Sequence, residues 1–327
     1  MPQLITHNIF ATEVYENLNQ DIQKSICNSL PIYKMYAQSF DTFIYYFSLN
    51  FKKVKLMTNL RKKGHKTKVN KYFINMINNI KTLNLEKNEE ALAYLFGSIT
   101  HYVLDSTCHP FIFYKTGVYS KNNKKDTNKY KGLHMNMETN IDAFFYINKF
   151  KKSFHKVNTT KDFIPKIKFS KNLELIMNKT IKDTFNIDNS AKYYFKGYNN
   201  SRWLYPLIIN DKHGIKIKIY KVLDKLLFFT NYKFEYFSTY IKQPKIYYLN
   251  IEHKKWVFPS NEKIKSNESF IDLYNKAIKK AIILITGAYN VLNGTVKIEE
   301  FEKKIENLSY VRGLDCDNST YMKYFEF

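Results

Sequence analysis

Apolar residues recur along this chain at three- and four-residue steps, the spacing that lines one face of a helix. Residues 66–80 carry Val69, Phe73, Met76 and Ile80 at such steps and predict an amphipathic helix. The same spacing predicts helices over 6–18, with Thr6 as N-cap, and over 89–108, ended by Pro110. It predicts further helices over 133–150, 172–185, 216–229 and 270–292, and a short one over 299–308. Between them, 33–51 is rich in aromatics and 119–131 reads as a lysine- and asparagine-rich loop. Residues 151–170 read as a basic linker or surface loop, and 244–259 as a strand pair or ordered loop. There is no internal repeat. With only nine Gly and seven Pro, the chain suits long helices, and the expected fold class is all-α.

Length and composition then set bounds. With 327 residues, 44% of them hydrophobic, the chain can form one large domain or two modest ones. No run of eighteen apolar residues predicts a transmembrane span. The opening residues 1–7 lack a basic region followed by an apolar one, so no signal peptide is expected. Cys27, Cys108 and Cys316 are odd in number and unpatterned, which implies no disulfide framework. A cytoplasmic location is the expectation, with a membrane-peripheral one as its variant. The formal net charge is +23, yet Arg61, Arg202 and Arg312 are the only arginines. Sequence-reading nucleic-acid proteins rely on arginine for bidentate contacts. Lysine-borne charge reads first as surface composition, and its field draws a protein toward anionic lipid. An anionic membrane surface is the expected partner, with nucleic acid as the alternative; the oligomeric state is not legible.

Two stretches carry candidate chemistry. His101, Asp105 and His109 fall at i, i+4 and i+8, and so do His134, Glu138 and Asp142. Side chains four apart sit over one another on a helix. Imidazole nitrogen and carboxylate oxygen are the ligands zinc takes where no thiolate is offered. A lone histidine on an apolar helix is usually a core residue, but two helices with the same step are harder to obtain by chance. Both lie in apolar sequence, where an acid is normally paired or bound to metal. They predict a metal site with more than one ion. Asp142 either orients a histidine or accepts N–H groups on a polar face. Cys108, Trp203 and Trp256 read as core.

Taken in order, the candidates are His7, Asp41, His65, His101, Asp105, His109, His134 and Glu138. This order, with its helix-borne H-x-x-x-D and H-x-x-x-E steps, resembles the zinc-dependent phospholipase C superfamily. That superfamily includes the glycosylphosphatidylinositol-specific phospholipase D catalytic domain and, with the same fold, zinc-dependent single-strand nucleases. The resemblance implies a multi-helix bundle around two or three Zn2+ ions. Asp41, His65, His101 and Asp105 would hold one ion, and His109, His134 and Glu138 a second. Asp105 would bridge to a third, which His7 would also bind. A zinc-activated water would attack phosphorus of a phospholipid phosphodiester, with Asp41 doubling as proton acceptor. Residues 1–150 would form the metal-binding catalytic core, and 151–327 a helical half completing the same domain. The alternatives are a nuclease-like phosphodiesterase on single-stranded nucleic acid and a non-catalytic, zinc-stabilised helical protein. The chain departs from the secreted phospholipases in three ways. It has no N-terminal tryptophan, for which a freed Pro2 amine is the substitute. Thr42 follows Asp41 where they have tyrosine, and four residues rather than six separate Asp105 from His109.

Overall fold

A computed structural model describes residues 4–118, 124–318 and 320–326. Its helices, in chain order, are α1 (Leu4–Glu16), α2 (Gln20–Lys24), α3 (Leu30–Tyr36), α4 (Phe51–Gly64), α5 (Val69–Thr82) and α6 (Glu89–Thr116). They continue with α7 (Lys124–Phe150), α8 (Thr159–Phe163), α9 (Lys171–Phe185), α10 (Ser190–Ile208), α11 (Ile215–Leu226), α12 (Phe270–Leu292) and α13 (Ile298–Glu302). The sheet is one antiparallel pair, β1 (Trp256–Phe258) with β2 (Asn261–Ser266). The fold is all-α. Among the described residues no helix is long and apolar enough to cross a membrane.

Helix α6 is the axis of the molecule. Every residue from Ala91 to Ser106 is buried, the pattern of a helix covered on all sides. The Asn88 side chain accepts the Ala91 N–H at 3.0 Å, and Glu89 and Glu90 complement the positive helix start. Helices α3 and α12 pack most extensively on it, with α1 and α7 completing the surround. The α3–α6 approach depends on Gly97. A Cβ there would lie 2.3 Å from the Tyr33 carbonyl oxygen, a backbone atom that cannot swing aside. Gly97→Ala is therefore expected to destabilise the fold by about 1–3 kcal/mol or more, as overpacked cores do. Chemical denaturation of the two proteins checks this.

Several elements differ from the sequence expectation. Helix α6 does not end at Pro110 but runs on to Thr116. Continuing it buries Phe111, Ile112 and Phe113, and that packing outweighs the helix hydrogen bond Pro110 cannot make. Thr6 is not an N-cap, because α1 already begins at Leu4. Its cap is Asp142 on α7, which accepts the Thr6 N–H at 2.9 Å and the Thr6 hydroxyl at 2.5 Å. Helix α7 starts at Lys124, so the loop read over 119–131 is largely helix; residues 119–123 lie outside the described set. Helix α4 escaped notice because only Met57, Leu60 and Gly64 are buried on it. Helix α10 was hidden by an interior glycine, two asparagines and Pro206. The stretch 151–170 is no linker: it contains α8 and buries Phe154, Val157, Phe163 and Ile164. Trp256 is core, but Trp203 is half exposed.

Candidate metal centre

Five elements converge beside the middle of α6. That helix aligns His101, Asp105 and His109 on one face, as the four-residue step requires. Helix α7 brings His134 and Glu138, α1 brings His7, a 3-10 turn at Ser39–Tyr45 brings Asp41, and His65 caps the C-terminus of α4. All eight residues sequence reasoning selected meet here.

They form two groups. In the first, one ligand-type atom from each of Asp41, His65, His101 and Asp105 lies within 4.8 Å of all the others. The His65 Nε2 is 3.3 Å from Asp41 Oδ1, and the His101 Nε2 is 3.4 Å from Asp105 Oδ2. His109, His134 and Glu138 form the second, with Glu138 Oε1 2.8 Å from His134 Nε2 and 3.5 Å from His109 Nε2. Asp105 joins them, since its Oδ2 also lies 3.6 Å from His109 Nδ1. His7 falls in neither group but sets its Nε2 3.1 Å from Asp105 Oδ1. The Pro2 amine lies outside the described residues. Asp142, committed to the α1 backbone, is the N–H acceptor of the two roles its position allowed.

The donor set fits a cation. Backbone carbonyls only accept hydrogen bonds, so each one contacting an imidazole nitrogen requires a proton there. The Nδ1 of His65 donates to Arg61 O at 2.6 Å, that of His101 to Ala37 O at 3.0 Å, and that of His109 to Tyr310 O at 2.8 Å. In the neutral rings the Nε2 lone pairs then face the site, as second-shell contacts arrange in metal centres. Two such nitrogens, on His65 and His101, stand 3.4 Å apart. With both rings neutral, lone pairs at that distance repel unless a metal ion or a shared proton lies between them. Asp105 Oδ2 is buried and, among the described residues, has no hydrogen-bond donor. A buried carboxylate oxygen in that condition suits a metal ligand.

The charges are strongly coupled. Burial lowers the His101 imidazole to about 4, so that ring is neutral. Burial works on His109 in the same sense, but Asp105 and Glu138 outweigh it and raise the imidazole to about 9. Burial alone would raise the Asp105 carboxyl; His109, His101 and His7 instead hold it far below the usual carboxylate range. Asp41 is likewise held low, against burial, by His65 and Arg61.

Two contributors had no signature in the sequence. Arg61 donates from Nε to Asp41 Oδ1 at 2.9 Å, and an isolated arginine in a lysine-rich stretch gave only its rarity as a signal. The second is a strap at 308–316 crossing the centre from far along the chain. Its Tyr310 N–H donates to His65 O at 3.0 Å, while the Tyr310 carbonyl accepts the His109 Nδ1–H at 2.8 Å. Gly313 (φ +62°) closes the strap against α6, where a Cβ would meet the Ser106 carbonyl oxygen and Pro110, each at 2.6 Å. Backbone groups act here, and they are the same for every residue type.

No match was found among curated proteins or among solved structures. A family model described as zinc dependent phospholipase C matches residues 6–201, more than half of the chain and a span that contains all eight converging residues. With the geometry and that match together, the chain belongs to the zinc-dependent phospholipase C family.

Proposed function

We propose that the chain is a zinc-dependent phosphodiesterase that hydrolyses a phospholipid phosphodiester. Asp41, His65, His101 and Asp105 would hold one zinc ion, and His109, His134 and Glu138 a second. Asp105 would stand between the two, its Oδ2 3.4 Å from His101 Nε2 and 3.6 Å from His109 Nδ1. His7, in contact with Asp105, serves a third position if one is filled. The observation that carries the reading is the pair of Nε2 atoms turned toward each other at 3.4 Å beside a buried carboxylate oxygen that has no hydrogen-bond donor among the described residues.

Zinc bound there supplies Lewis acidity, which makes water acidic near neutral pH and offsets charge on a phosphoryl group. The chain's own part is positional. Carbonyls of Ala37, Arg61 and Tyr310 fix three imidazole tautomers. Asp41, ionised and braced by Arg61, orients the attacking water and takes its proton in passing. Residues 1–150 supply the ligands and the later half supplies Tyr310, so the two halves work as one unit.

Zinc analysis after purification without chelator is expected to give two or three equivalents; less than one equivalent refutes the metal assignment. Headgroup release from liposomes, run beside digestion of single-stranded DNA, then tests the substrate class. Cleavage of DNA alone would replace lipid with nucleic acid as the substrate. Bound zinc without turnover of either would leave a metal-stabilised protein.

A further inference from the structure

Helix α11 lies outside the span that the family model matches, and it is built inside out. Its only buried residue is Asp224. Ile215, Ile219, Val222 and Leu226 are 61, 52, 56 and 66% exposed. At ~100° per residue these four fall within an arc of ~60°, and Asp224 points the opposite way. Phe228 and Phe229, exposed by 74 and 59%, follow at once. Soluble proteins rarely leave so continuous an apolar stripe in water unless something covers it.

The helix is held by polar contacts rather than by its apolar face. Asp224 accepts the Phe234 and Glu235 N–H groups at 2.6 and 3.1 Å. Asp211 accepts the Lys216 and Ile217 N–H groups at 3.2 and 2.8 Å, fixing the first turn. The Tyr220 hydroxyl donates to Ile208 O at 2.6 Å. A 3-10 turn at Phe234–Phe237 links this assembly to α7, where the Thr139 hydroxyl donates to Tyr236 O at 3.3 Å, one residue beyond Glu138. The stripe is thus carried on a mount that rests on α7, the helix that also bears His134 and Glu138.

Charge decides what covers it. Residues 212–233 contain six lysines and one acid, the buried Asp224. The exposed Lys218 and Lys225 border the stripe on one side. An apolar face ending in aromatics and edged with lysine is the composition of a helix lying in the interface of an anionic bilayer. Arginine is absent from the segment, which disfavours nucleic acid.

We propose that α11, with Phe228 and Phe229, is the surface by which this protein docks on an anionic phospholipid membrane. It rests on the proposed function only in taking lipid, rather than protein, as the occupant. The full chain is sedimented with vesicles of phosphatidylcholine, with and without phosphatidylserine. Binding is expected to need phosphatidylserine and to fall steeply with salt. Ile219→Ser/Val222→Ser should weaken it at least ~10-fold, and Lys218→Gln/Lys225→Gln roughly 10-fold or more. Ile219→Trp/Val222→Trp should keep or strengthen binding, since tryptophan favours the interface; a loss there as deep as with serine would overturn the proposal. So would serine variants that bind vesicles normally while losing a dimer seen by sedimentation velocity. Turnover of a water-soluble short-chain phosphodiester should be the same in all variants. A protein that hydrolyses that substrate but ignores vesicles refutes the surface alone. One that binds vesicles through α11 but turns over no phosphodiester refutes the enzymatic reading and leaves the surface standing.

Discussion

Asp105→Asn is expected to lower turnover by at least ~100-fold, the upper end of what an altered metal shell costs. The residue sits four positions from His101 and four from His109, on one face of a helix buried around it. Its Oδ1 meets His7 at 3.1 Å, while its Oδ2 lies 3.4 Å from His101 and 3.6 Å from His109. One carboxylate therefore stands at the junction of both ligand groups. An amide keeps one acceptor oxygen, loses the charge, and presents an NH2 where the other oxygen was. Both groups are weakened at once. His7→Ala should cost less, because His7 belongs to neither group and reaches the centre only through Asp105. Turnover numbers and zinc content of the two variants check the order. A rate for Asp105→Asn equal to that of the unmutated protein would remove the joining role and the proposed reaction with it.

Removing the metal should have the largest effect on stability, and the effect should grow with pH. An ion held at 1,000 times its dissociation constant adds about 4 kcal/mol to the folded state. Without it, the charges of Asp105 and Glu138 are offset by protonated His109, whose imidazole is raised to about 9 from an ordinary value near 6.5. A group raised on folding stabilises the fold fully below its unfolded value and loses that contribution as pH climbs through its folded one. Chelated protein should therefore lose stability between about pH 6.5 and 9. The loaded protein should not, since the ion takes the proton's place. Apparent zinc affinity should rise over the same window, by up to about tenfold per pH unit for one displaced proton. Thermal unfolding with and without chelator across this range is the measurement. Parallel curves for the two forms would contradict the second ligand group.

Much of the candidate site was legible because its ligand-type residues obey helical spacing. His101, Asp105, His109, His134 and Glu138 sit on two helices at one-turn steps, and their apolar surroundings marked both helices as buried. His7, Asp41 and His65 follow no local pattern and were recoverable only from their order along the chain. What the sequence hid was of two kinds. Pro110 and the glycine, asparagines and Pro206 of α10 carry local signals against helix that tertiary burial overrides, while α4 buries too few residues to show a helical period. Asp142 and Tyr310 act on backbone groups far away, and no residue type announces such a partner. The exposed stripe of α11 shows the opposite failure. Its spacing predicted the helix correctly, but spacing does not reveal which face turns inward.

The strap that Tyr310 forms has a consequence for synthesis. His109 and the carbonyl that fixes its ring are 201 residues apart. At ~5–20 residues per second a ribosome needs about 10–40 s to pass from one to the other. Throughout that interval the nascent chain carries His7, Asp41, His65 and all the ligands of α6, and then those of α7, with no strap to orient His109. An ion captured then would meet a His109 ring that the Tyr310 carbonyl does not yet orient. The His109 side of the candidate centre thus takes its final geometry only once residue 310 has emerged.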